Sequence, residues 1–526
     1  MAFLLQHLLK ESAVRHPEQN ALIHQGRSIT YSDLETQSNL LGNLLLSLPS
    51  AKCERIGIYL NRGIDSIVSA MGALKAGAIY VPIDPQSPVR RLKYIISHCG
   101  IRTILTEQNR ITNLEEAFSE ASPLKNIVVM DAAKALPLSA VAPNIIAWKQ
   151  ASMNFDAREQ AVNTIDADPA YILFTSGSTG SPKGVTLSHL NALTFINSAF
   201  KFFQITKDDR LSNICPLHFD MSVFDIFLAI KAAATTVIVP ETSAIFPVKI
   251  AEIISTQKIS VWNSVPSAIS TLATLSNLEN YDFSNLRLVL FAGEVFPLKY
   301  LRRLKPLMRN ARFCNMYGQT EANSSTYHWV NELPPTDNAS LPIGRPLPNF
   351  EVFAIDNAGN LVTEAEQEGE LYVRASTVSL GYWADAERTA KAFVANPLSP
   401  DSHERVYKTG DLVRLNSDGE FVFLGRKDFM IKSRGYRIEI GEIESVLCNH
   451  PGIKAAVVIP IPDELIGNRI AAIIEPLPTV QMDKADILNY CATQLPKYMV
   501  PEIIQFRNSL PTTSSGKIDR RQLSAL

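Results

Sequence analysis

The sequence predicts an α/β protein in two unequal parts: a large layered α/β N-terminal domain with a small β-barrel-like subdomain, and a small, mobile α+β C-terminal domain. Three observations predict this. Short β-branched runs, such as 55–60, 235–239 and 286–291, alternate with helical segments up to about residue 425, the pattern of strands layered between helices. Turn signals at Asp356-Asn357-Ala358-Gly359 and Asp418-Gly419 mark two hairpins of an antiparallel region that closes the large domain. With 526 residues, the chain exceeds what one core can hold.

The opening MAFLLQHLLKESAVRHP sets Phe3, Leu4, Leu5, Leu8 and Leu9 in an amphipathic helix and has neither a basic leader nor a small-residue cleavage site. Beyond Gly425, strands are expected around 455–459 and 471–474 and helices around 441–449 and 484–494, before the Pro-bounded LPKYMVP. About a hundred residues suffice for a separate domain. The expected division is 1–427 and 428–526.

Composition narrows the function. Hydrophobic residues make up 46% and charged residues 19%, a globular balance. The net charge of -2 and the mixing of bases with acids, apart from pairs such as Arg302-Arg303 and Arg520-Arg521, exclude a nucleic-acid binder. Cys53, Cys99, Cys215, Cys314, Cys448 and Cys491 form no CxxC pair, which predicts reduced thiols and a cytoplasmic enzyme. No segment is apolar enough to span a membrane.

Residues 170–184 read AYILFTSGSTGSPKG, an apolar strand entering a loop of Gly, Ser and Thr that ends on Lys183. Gly177, Gly180 and Gly184 permit tight turns that present N–H groups, Thr175, Ser176, Ser178 and Thr179 add hydroxyls, and Lys183 adds a cation, together a phosphate cradle. It is not a Walker loop, because Pro182 precedes Lys183 and Val185 follows Gly184; the only GK pair, Gly516-Lys517, is followed by Ile518.

This loop resembles the signature of the acyl-adenylate-forming superfamily. So do ITYSDL (29–34), LKAGAIYVPIDPQSP (74–88), NMYGQTEA (315–322), YKTGDL (407–412), GRKDFMIKSRGYRIEIGEIE (425–444) and SSGKIDRRQL (514–523), in order and almost end to end. The second of these leans toward the peptide-synthetase branch. The resemblance implies ATP and magnesium as reactants. Tyr317 would stack on adenine, Asp411 would bind the ribose hydroxyls, and Arg426 would approach ribose or phosphate. Ser176, Gly177, Ser178, Thr179, Gly180, Gly293, Asn315, Gly318 and Thr320 would complete the nucleotide site. Glu321 is the implied magnesium ligand. Thr175, Lys183 and Lys517 would act in catalysis, Lys517 by bridging the substrate carboxylate and α-phosphate. Asp428 would be the hinge about which the small domain turns, withdrawing Lys517 and bringing the Gly435 loop, which lines the thiol tunnel. Gln319 stands where the family usually has Pro, and Ala375 where Gly is common.

In HFDMSVFDIF, Asp220 falls where amino-acid-activating relatives pair with the substrate ammonium; a helix N-cap is its alternative. The same comparison lines the side-chain pocket with Met221, Phe224, Asn263, Leu290, Ala292, Met316, Ser324 and Ser325, a small, partly polar space. Serine, threonine, proline, another small cyclic amino acid and a β-amino acid all stay open. No carrier domain follows Lys517, so the implied acceptor is the phosphopantetheine thiol of a separate carrier protein. The rival activity is an acyl-CoA synthetase acting on a non-amino acid with free CoA; a nucleotide-binding protein without ligation is a third possibility.

Overall fold

The computed structural model describes residues 2–49, 53–118, 122–133, 143–177, 181–337, 339–399, 401–402, 404–428, 430–477, 480, 482–511 and 520–523. Two large sheets organise the N-terminal domain. The first has nine strands, and its central strands Thr235–Ile238, Arg210–Asn213, Val261–Ser264, Leu288–Ala292 and Arg312–Gln319 run parallel. The second has eight, with Ile79–Pro82, Arg55–Tyr59, Thr103–Thr106, Asn126–Val129 and Asn144–Ala147 parallel and the hairpin Pro169–Thr175/Lys183–Ser188 beside them.

The largest apolar cluster joins residues of both sheets, including Ile56, Tyr80, Leu211 and Leu290, to the helices Tyr31–Ser47, Ile64–Lys75 and His189–Phe203. Two further clusters cover the outer faces. The layers therefore run helix, sheet, helix, sheet, helix, and the runs noted at 55–60, 235–239 and 286–291 are central strands buried on both sides. The opening residues form the helix Leu5–Arg15, with Leu5, Leu8 and Leu9 buried.

Five antiparallel strands between Glu351 and Arg426 make the curled half-barrel, turning at Asp356–Asn360 and Asn416–Glu420 as the sequence signals require. The small C-terminal domain pairs Ile453–Asp463, Gly467–Pro476 and Ile503–Phe506 under the helices Ile440–Cys448 and Lys484–Gln494.

Side-chain caps start two of the middle-layer helices. Thr30 accepts the Asp33 N–H at 3.1 Å while the Asp33 carboxylate accepts the Thr30 N–H at 3.0 Å, so ITYSDL is a capping box. Ser188 and Asn191 repeat it where the chain leaves the phosphate-loop hairpin. Replacing Thr30 with Ala should lower unfolding stability by about 1 kcal/mol in a denaturant titration, with the m-value unchanged.

Candidate active site

The glycine-rich loop joins two antiparallel strands, with Thr175 opposite Lys183. No helix starts at its end, so no helix dipole adds positive potential there. Ser178, Thr179 and Gly180 lie outside the described residues. The Lys183 ammonium is buried 3.2 Å from Glu321, and its pKa is lowered, by burial first and then by the Arg437 charge.

Glu321 sits in the turn between Arg312–Gln319 and Asn323–Trp329, not at a helix N-terminus. The turn needs Gly318, where a Cβ would lie 2.0 Å from the Asn323 carbonyl oxygen. The Glu321 carboxylate is fully buried. Arg437 donates to both its oxygens at 3.1 and 3.0 Å, and the Tyr382 hydroxyl donates at 2.8 Å. Burial would raise its pKa, but Arg437 and Lys183 outweigh burial and hold it far below the usual carboxylate range. A hard carboxylate oxygen suits magnesium, yet one already neutralised by two cations does not fit the ion in this arrangement.

Two cavities meet here. The larger, about 480 Å³, lies between Gly293, Asn315, Met316, Tyr317, Asp411 and Arg426 on one side and Lys432, Asp463 and Asn468 of the C-terminal part on the other. Tyr317 lines it with its ring, while its hydroxyl and the Gln319 amide both donate to Asp411 Oδ2. Gln319 thus continues the strand and engages the Asp411 carboxylate, where a Pro would offer no side-chain donor. Arg426 donates to Asp411 Oδ1 and grips Asp428 at 2.6 and 2.8 Å.

The smaller cavity, about 110 Å³, is lined by Thr175, Ser176, Asp220, Met221, Ala292, Gly293, Gln319, Thr320 and Ser324, and by Gly435, Tyr436 and Arg437 across the seam. A helix does start after Asp220, but the Asp220 side chain makes no cap. It is held by the Thr320 hydroxyl and the Met221 N–H, and burial raises its pKa although these donors oppose it.

Five of the residues expected in the side-chain pocket do not line the smaller cavity. Phe224 turns into the core against Phe195 and Phe203, and Leu290 is fully buried in the central strand. Met316 lines the larger cavity. The Ser325 hydroxyl donates to the Asn323 carbonyl. Asn263 donates its amide to Asp225 Oδ1 at 2.9 Å, so this N–H serves the protein and not a ligand. Asp225 lies in a wider π-type turn, Phe224–Leu228, which interrupts the helix after Asp220, and is also bonded by Asn213 at 3.2 Å. Of the other expected residues, Thr175, Ser176, Asp220, Gly293, Asn315, Tyr317, Gly318, Thr320, Asp411, Arg426 and Asp428 line one or both cavities. Lys517 lies outside the described residues.

The site also contains residues the sequence did not single out: Glu294, His218, Lys432, Tyr436, Arg437 and Tyr498. His218 belongs to HFDMSVFDIF and three others to GRKDFMIKSRGYRIEIGEIE, so the signal was the motif itself. The Gly435 N–H donates to Glu294 Oε1 at 2.6 Å, and Tyr436 stacks on Tyr498 at 3.8 Å with Phe219 against its edge.

Stacked sheets, a half-barrel and a small domain meeting over a glycine-, serine- and threonine-rich loop belong to an enzyme that activates a carboxylic acid by adenylation. The chain is a member of the AMP-binding enzyme family: the family model "AMP-binding enzyme" matches residues 9–383, and "AMP-binding enzyme C-terminal domain" matches 442–517. It is an AMP-forming ligase. It is 34% identical over 528 residues, 99% of each chain, to an L-proline–[L-prolyl-carrier protein] ligase of Pseudomonas fluorescens. It is 32% identical over 526 residues, 97% of this chain and 96% of the relative, to one of Streptomyces coelicolor. The amide bond synthetase McbA from Marinactinospora thermotolerans shares the fold, with a TM-score of 0.84 at 21% identity over 99% of both chains. No helix among the described residues is long and apolar enough to cross a membrane.

Burial pushes Asp225 up to about 7, against the two Asn amides, from 3.8 when exposed. A raised folded-state pKa means this group's stabilisation is complete below 3.8 and is lost as pH rises through about 7. Asp225→Asn should therefore gain on the parent, in denaturant midpoint, as pH goes from about 4 to about 8. A pH-independent difference would contradict the shift.

Proposed function

We propose that the chain activates a small amino acid, L-proline first among candidates, as an aminoacyl-adenylate and transfers it to the phosphopantetheine thiol of a separate carrier protein. The observation that carries this is Asp220. A carboxylate facing a cavity of about 110 Å³ and hydrogen-bonded by the neutral donors Thr320 and Met221 is suited to a substrate ammonium and ill suited to a bare carboxylic acid. Asn263 and Ser325 bond to the protein, and the space beside Asp220 is walled by Met221, Ala292 and Phe174 together with the hydroxyl-bearing Thr175, Thr320 and Ser324. The apolar part of this wall suits a compact hydrocarbon ring. The two relatives named as prolyl-carrier protein ligases support the same choice.

In the first half-reaction a substrate carboxylate oxygen attacks the α-phosphorus of ATP and pyrophosphate leaves. Thr175, Ser176, Lys183 and the loop 177–180 hold the phosphates, Gly293, Asn315, Tyr317, Gly318 and Thr320 enclose adenosine with Asp411 and Arg426, and Lys517 steadies the charge that develops between carboxylate and phosphate. In the second, the carrier's thiolate adds to the acyl carbonyl and AMP leaves. Residues 428–526 move as one body about Asp428 between these steps. The contact between the Gly435 N–H and Glu294 supports reading the observed arrangement as the transfer pose.

Substrate-dependent pyrophosphate exchange tests this. Proline should give the strongest exchange, and Asp220→Ala should lower it about a hundredfold, as expected for loss of a buried charge-assisted contact. Exchange driven by fatty or aryl acids and undiminished in Asp220→Ala would instead identify an acyl-CoA synthetase. Lys517→Ala should lose adenylation while still transferring the acyl group from supplied prolyl-adenylate; equal loss of both steps would contradict the two-pose cycle.

A further inference from the structure

The C-terminal part grips the shoulder of the phosphate loop with groups that have no part in the mechanism above. Glu442 accepts the Gly177 N–H through Oε2 at 3.1 Å and holds the Arg91 guanidinium through Oε1 at 2.8 Å. The Ser176 hydroxyl donates to the Arg437 carbonyl at 2.7 Å and accepts the Glu439 N–H at 3.1 Å. Arg437 covers both oxygens of Glu321. A glycine N–H in such a loop is a donor for a phosphate oxygen; here a carboxylate takes it. Two anions cannot share one buried N–H, and a dication cannot join two cations on one carboxylate.

We propose that Glu442, steered by Arg91, is a positioning residue that seats the C-terminal domain only on a phosphate-free loop. The seated pose and an occupied triphosphate site therefore exclude one another. This rests on the adenylation reading above and adds the residues that enforce the order of its two steps. The Arg91–Glu442 pair crosses the seam with side chains 7% and 4% exposed, so each charge relies on the other there. A surface pair of this kind would be too weak to set a domain's position; a buried one is not.

Lys299 and Glu464 form an ion pair across the same seam at the surface. Cysteines at these two positions, in a background where exposed Cys448 is Ser, report the pose by bismaleimide crosslinking. The parent should crosslink without ligand, and magnesium pyrophosphate should suppress the crosslink. Glu442→Gln should lower ligand-free crosslinking, and acyl transfer from supplied prolyl-adenylate, by about tenfold or more. Proline-dependent pyrophosphate exchange, which also shows that the variant folds, should stay within about twofold of the parent. Arg91→Gln should behave alike, and the double variant no worse than either single one. The latch is overturned if Glu442→Gln crosslinks and transfers as the parent does, or if pyrophosphate leaves the crosslink unchanged. Absence of amino-acid-dependent exchange in the parent would overturn the adenylation reading, and the crosslinking arms would still decide the latch.

Discussion

One buried carboxylate sets the terms for the rest of the site. Glu321 has no exposure and would be costly to ionise alone, since an uncompensated charge in a protein interior costs several kcal/mol. Its compensation comes from three places: Lys183 at the far end of the phosphate hairpin, Tyr382 from the strand beside that hairpin, and Arg437 from the C-terminal part. These segments are remote in sequence, so the charge balance seen here ties the small domain to the eight-stranded sheet. The hairpin form of the phosphate loop strengthens this dependence. With no helix beneath the loop, positive potential must be brought by side chains, and the side chains come from different domains.

Much of the architecture was legible because it is local. Alternating β-branched runs gave the central strands, and the turn signals at 356–359 and 418–419 gave the half-barrel hairpins. Part of the site was legible as motifs, since Thr175, Ser176, Tyr317, Thr320, Asp411 and Arg426 come from the blocks that carry the resemblance, whereas Glu294, Asp463, Asn468 and Tyr498 do not. Partner choice was not legible. Asn263 reads as a polar pocket residue until Asp225 is seen behind it, and Asp225 itself reads as one more position on an amphipathic helix. Asp220 precedes a helix, as an N-cap would, but Thr320, a hundred residues away, takes its side chain. Arg437 and Glu442 stand within a block that was singled out, yet their partners Glu321 and Gly177 lie 116 and 265 residues distant. Pairings over such separations are set by the packed layers and leave no periodic trace.

The pocket shows how a polar second layer can make an apolar first one. Asn213, Asn263 and Asp225 satisfy one another behind the wall, at a π-type turn that widens the helix to admit the carboxyl group. Beside Asp220 the cavity then offers Met221 and Ala292 as an apolar wall. A ligand carrying an ammonium near a short hydrocarbon body matches both features at once.

Arg426 serves two carboxylates, Asp411 in the larger cavity and Asp428 at the proposed hinge. A guanidinium shared in this way cannot tighten on one without loosening on the other. Sugar hydroxyls arriving at Asp411 would draw donors from it and free charge for Asp428; their departure would reverse the transfer. Asp411 and the proposed hinge residue thus share a single cation, so a change of partners at one carboxylate is felt at the other through charge alone.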